Sequence, residues 1–124
     1  LTWLFLILAS LLSLFGLILH VTRGRRLIVV PLTQCDMHEV PRNTLIFSWN
    51  WGAVTMAMLA LGFISPLWRP DFMPLAMFCT VYAYWLGVAS FVQMRRGGFS
   101  VAQMPQWVLF WSVSALGFLS WGLG

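Results

Sequence analysis

Residues 1–26 read LTWLFLILASLLSLFGLILHVTRGRR, and the change of character at position 20 decides the fold. From Leu1 to Leu19 no side chain is charged, and about 20 apolar residues is what a helix needs to cross roughly 30 Å of hydrocarbon. Arg23, Arg25 and Arg26 then follow as a stop-transfer anchor. The stretch lacks the basic start and small-residue cleavage site of a secretory signal. The chain starts on Leu1 rather than Met, so a few residues are expected to be missing at its front.

Three further apolar blocks repeat the pattern, at Leu45 to Leu67, Phe72 to Val92 and Trp107 to Gly124. Over 124 residues the composition is 60% hydrophobic and 8% charged, whereas about a quarter of a soluble domain carries charge. Lipid, not water, is the principal solvent for such a chain. Lipid offers the backbone no hydrogen-bond partner, so only helices or a closed barrel can span it. The blocks lack the alternation of barrel strands. The expected fold is therefore all-α and integral to the membrane: one domain, residues 1–124, with four transmembrane helices in an up-down bundle of two antiparallel hairpins.

Charge sets the expected orientation. Arg23, Arg25, Arg26 and Arg42 fall in the first loop, about residues 20–44, and Arg95 and Arg96 in the third; the second has only Arg69, beside Asp71. The positive-inside rule places loops one and three in the cytoplasm and both termini on the non-cytoplasmic side. The net charge of +4 then reflects insertion and contact with anionic headgroups rather than nucleic-acid binding. The seven basic residues are all Arg, which points to a GC-rich bacterial genome and the bacterial inner membrane. Tryptophans agree with the topology, since indoles gather at membrane interfaces. Trp49, Trp51, Trp107 and Trp111 mark the cytoplasmic ends of their spans, Trp3, Trp68 and Trp121 the outer ends, and Trp85 alone is mid-span. Pro66 and Pro70 are expected to stop one helix before the next begins. In the first loop the apolar run Leu27 to Leu32 is too short to cross and reads as an interfacial or re-entrant segment.

In lipid, helices associate through close packing by small residues. Such stripes predict the inner faces: Ala9, Ser13, Gly16 and His20 in span one; Asn50, Ala53, Ala57 and Ala60 in span two; Ala76, Thr80, Ala83, Gly87 and Ser90 in span three. Span four offers only Ser114, Gly117 and Gly124, and is expected to pack peripherally.

His20 and Asn50 continue two of these stripes at the cytoplasmic end and are the candidate polar or ligand-binding pair of the bundle interior. A hydrogen bond between them that pins two helices is the simpler expectation; a quinone headgroup site is the sharper one. Cys35, His38 and Glu39 are weak metal candidates, because a structural zinc site usually shows two separated ligand pairs and only one such pair is present. For these residues a solvated, loop-capping role is the plainer expectation. Arg23, Arg25, Arg26, Arg95 and Arg96 are expected to contact lipid headgroups. Cys35 and Cys79 lie on different elements, and no disulfide is expected in a cytoplasmic setting.

No Asp, Glu, Lys or Arg falls within any expected span, which removes most support for a proton relay or an ion-coupled carrier. No catalytic serine motif, phosphate loop or haem-attachment motif occurs. No catalytic residue and no cofactor is expected, with quinone, haem or a metal as the weaker alternatives. His20 with the following Gly24 and Pro31-Leu32, then Arg42 to Trp49, then Met104-Pro105-Gln106-Trp107, resemble small four-span bacterial inner-membrane proteins of unassigned function. The resemblance implies topology rather than activity, and Asn50 stands where such proteins carry His.

The expected function is that of a non-catalytic accessory or structural subunit in a larger bacterial inner-membrane complex, an energy-transducing one among the candidates. Its partners would be membrane lipids and other integral membrane subunits. A homo-oligomeric channel or carrier for a small neutral or apolar molecule is the alternative, with Asn50, Tyr82 and Trp85 along the route. An enzyme acting on a lipid or quinone at the cytoplasmic interface through His20 or His38 is the second alternative.

Overall fold

The computed structural model describes residues 1–123 and is all-helical. Its elements are α1 (Thr2–Leu19), a widened π-type segment (His20–Val29), α2 (Val30–Thr33), α3 (Glu39–Trp68), a 3-10 turn (Pro70–Phe72), α4 (Met73–Gly97) and α5 (Gln106–Gly122). Three continuous helical stretches, Thr2–Thr33, Glu39–Trp68 and Pro70–Gly97, are long and apolar enough to cross a membrane.

Each long helix packs on two others: α1 on α3 and α5, and α4 on α3 and α5. Side-chain contacts show that neighbours run antiparallel. Ser10 donates to the Ala60 carbonyl at 2.8 Å while His20 meets Trp49, so α1 ascends as α3 descends. Thr2 donates to the Ser120 carbonyl at 3.1 Å, and Gly16 faces Leu109, which gives the same relation for α1 and α5. Leu6, Leu59, Phe63, Ala76, Ala83 and Val113 close the core between them.

The small-residue stripes of α1 and α4 face inward as expected: Ala9, Ser13 and Gly16 are buried, as are Ala76, Thr80, Ala83 and Gly87. On α3 the buried stripe is instead Met56, Leu59, Phe63 and Pro66. Ala53, Ala57 and Ala60 are half-buried, and Asn50 is exposed. The small side chains let α1 come close enough for Ser10 to reach the Ala60 backbone, while the larger ones fill the centre. The expectation of a peripheral α5 is corrected too. Phe110, Val113, Ser114, Gly117 and Ser120 are buried, and Ser114 donates to the Thr80 carbonyl at 3.0 Å. Gly124 lies outside the described residues.

Helix ends follow local chemistry. Pro66 does not stop α3, which continues to Trp68. A proline there deprives the carbonyl four residues back, that of Gly62, of its donor, and the Ser65 hydroxyl supplies one at 2.9 Å. Gly98 ends α4 at φ +69°, the left-handed region a residue without Cβ enters freely. Phe99 N–H then reaches the Met94 carbonyl and Gly98 N–H the Arg95 carbonyl, which satisfies the last turn.

The expected loop over residues 20–44 is mostly helical. Helical backbone runs on from Leu19 to Thr33, and α3 already begins at Glu39. Once outside hydrocarbon a helix can continue, because its hydrogen bonds are internal and its arginines can point into water. The apolar run Leu27 to Leu32 is thus part of a helix collinear in sequence with α1, not a separate re-entrant segment.

Candidate functional site

The backbone of His20–Val29 is wound more loosely than an α-helix, and the Val30 N–H bonds five residues back to the Arg25 carbonyl. Such π-type turns are rare and tend to mark functional positions. Here the segment carries His20 and Gly24 against α3, with Arg23 exposed beside them. The His20 and Trp49 rings stack with centroids 3.7 Å apart and planes within 11°. His20 Nε2–H donates to the Trp49 carbonyl at 2.7 Å, because a carbonyl can only accept.

Each ring also covers a glycine of the opposite helix. A Cβ on Gly24 would lie 2.6 Å from the Trp49 indole, and one on Gly52 would lie 2.9 Å from the His20 imidazole. The two helices are thereby clasped ring over glycine in both directions. Trp49, Gly24 and Gly52 were not among the expected site residues. Their signal was present, since each glycine lies one helical turn after a ring, at His20 plus four and Trp49 plus three.

Beside this clasp a cleft of about 460 Å³ opens between the first helix, the start of α5 and the connection leading into it. Its volume falls within the range of about 300–1,000 Å³ usual for small-molecule sites. Leu12, Phe15, Leu27 and Leu109 are among its apolar lining residues, and His20, Arg23, Gln106 and Ser112 among its polar ones. Arg23 is the one arginine among its lining residues, and no carboxylate lines it. Among the described residues the only ion pair is Arg69 with Asp71, both largely exposed. The Arg23 guanidinium therefore has no anionic partner within the described chain.

The other expected site residues are dispersed. Asn50 does not bond His20. It lines a separate groove of about 550 Å³ between α3 and α4, with Phe47, Trp51, Phe78 and Tyr82. Consecutive residues of a helix point about 100° apart, so His20 cannot face Trp49 and Asn50 equally. His38 opens α3, its Nδ1 accepting the Val40 N–H at 3.3 Å, and Glu39 places a negative charge in the first turn, where the helix dipole favours it. Cys35 is exposed in the preceding turn. Among the described residues no three of His, Cys, Asp and Glu come together as a metal-ligand set. Arg23, Arg25, Arg26, Arg95 and Arg96 are all exposed, and so is Trp85, on the outer side of α4. No family model, no curated protein and no solved structure matches the chain.

Proposed function

We propose that this chain is a four-span protein of the bacterial inner membrane, with both termini on the non-cytoplasmic side, and that it serves as a non-catalytic accessory subunit of a larger integral assembly. α5 has 17 residues, about 25 Å at 1.5 Å per residue, which is at the short end of spanning length. Its burial against α1 and α4 supports treating it as a fourth crossing. The arginines cluster at the end where His20 meets Trp49, in keeping with a cytoplasmic face there.

The observation that carries the subunit role is Asn50. Its carboxamide is exposed in an aromatic groove and makes no side-chain hydrogen bond among the described residues. An amide facing hydrocarbon without a partner costs on the order of a few kcal/mol. A helix of another integral protein, seated between α3 and α4, would supply the partner and cover Phe47, Trp51 and Phe78.

The test is native-state mass measurement after extraction in mild detergent. A defined integral partner that copurifies with the wild-type chain and dissociates on Asn50→Leu is the expected result. A free 14.1 kDa species would overturn the subunit role. Multiples of that mass, dissociated by the same substitution, would favour the homo-oligomeric channel or carrier instead.

A further inference from the structure

We infer that the cleft beside the His20–Trp49 clasp is a binding site for one anionic phospholipid. The inference rests on the membrane-embedded reading alone and is independent of any partner subunit. Three observations converge on it. The cleft is mostly apolar, with Leu12, Phe15 and Leu109 among its lining, and His20, Arg23 and Gln106 add polar groups to it. Arg23 lines it while Arg25 and Arg26, two and three residues on, do not. No carboxylate lines the cleft to neutralise that guanidinium.

A phosphodiester fits these groups. Its oxygens accept the paired N–H groups of a guanidinium in a planar fork, and its acyl chain takes the apolar wall. Arg23 and Gly24 follow His20 by three and four residues, the helical spacing that keeps side chains on one side, and all three line the cleft. His20 Nε2–H is already engaged by the Trp49 carbonyl, so the imidazole serves as a wall and Arg23 as the charged contact.

Arginines at a membrane edge have a general role in topology and headgroup contact, and that role treats Arg23, Arg25 and Arg26 alike. A lipid site does not. The experiment is native mass spectrometry of the delipidated full chain, titrated with dioleoylphosphatidylglycerol or dioleoylphosphatidylcholine. Wild-type protein should retain one phosphatidylglycerol per chain, with phosphatidylcholine about tenfold weaker. Arg23→Gln should weaken phosphatidylglycerol about tenfold, as expected for loss of a charge-assisted hydrogen bond, and Arg25→Gln by less than about twofold. Ser112→Trp, which narrows the cleft from an exposed position on α5, should weaken it comparably at unchanged helicity.

Equal losses for Arg23→Gln and Arg25→Gln would overturn the site, as would phosphatidylcholine binding as tightly as phosphatidylglycerol. A neutral quinone analogue that displaced the lipid and bound Arg23→Gln undiminished would also overturn it. So would competition by inorganic phosphate that Ser112→Trp leaves unchanged, which would mark an ion site. Reconstitution of the same variants into phosphatidylglycerol vesicles separates the two levels: insertion without specific retention sinks the lipid site alone, and failure to insert sinks the membrane reading.

Discussion

His20 and Trp49 lie face to face at 3.7 Å, and the imidazole of the first also donates to the backbone carbonyl of the second at 2.7 Å. Ring stacking and hydrogen bond act on the same pair, so they can be separated by substitution. His20→Phe keeps an aromatic face and loses the donor, and is expected to cost about 0.6–2 kcal/mol, the range of interhelical hydrogen bonds in membranes. His20→Ala loses both and should cost a further ~0.5–1.5 kcal/mol. Unfolding in a sodium dodecyl sulfate series checks both; equal costs would show that stacking contributes nothing.

The two glycines under the rings are the second test. Gly24→Ala and Gly52→Ala each place a methyl within 3 Å of an aromatic ring, and overpacking of this kind costs about 1–3 kcal/mol. A Cβ on Gly122 would meet nothing within 4 Å, so Gly122→Ala should stay within about 0.5 kcal/mol of wild type. Melting temperatures in one detergent order the three variants.

Ser65 and Pro66 should be coupled. Ser65→Ala leaves the Gly62 carbonyl without the hydroxyl it accepts from and should destabilise by about 1–3 kcal/mol, the cost of a buried unsatisfied group. In a Pro66→Ala background the residue at 66 regains an N–H for that carbonyl. There Ser65→Ala should be nearly neutral, and a double-mutant cycle reads the difference as a coupling energy. Additive effects would show that the hydroxyl does not replace the missing donor.

The cysteines report orientation. Cys35 is exposed in the turn before α3, and Cys79 is buried where α4 meets Gly62. In inverted inner-membrane vesicles a membrane-impermeant maleimide should modify Cys35 and leave Cys79 unmodified; in spheroplasts it should modify neither. Labelling of Cys35 in spheroplasts but not in inverted vesicles would reverse the proposed sidedness.

How far the packing was legible varied by helix. The stripes Ala9, Ser13, Gly16 and Ala76, Thr80, Ala83, Gly87 pointed inward because lipid gives helices little reason to associate except close approach. The same logic misplaced the inner face of α3. Ala53 and Ala57 are half-buried and Ala60 lies where Ser10 of α1 approaches, off the centre that Met56, Leu59 and Phe63 fill, and composition does not distinguish these uses of a small side chain. The arginines at 23, 25 and 26 suggested a loop, yet backbone hydrogen bonds hold the helix together on either side of a membrane boundary.

The sequence by itself determined that this chain is helical and apolar enough for lipid, because block length and the lack of charge follow from hydrocarbon thickness and backbone desolvation. It also identified His20 as a polar group at the end of the first apolar block. Only the tertiary structure decided that His20 meets Trp49 rather than Asn50, and that Arg23 rather than Arg25 lines a cleft. These choices depend on the rotation of each helix about its axis. A shift of one residue turns a side chain by about 100°, and no pattern of hydropathy records which way it turns.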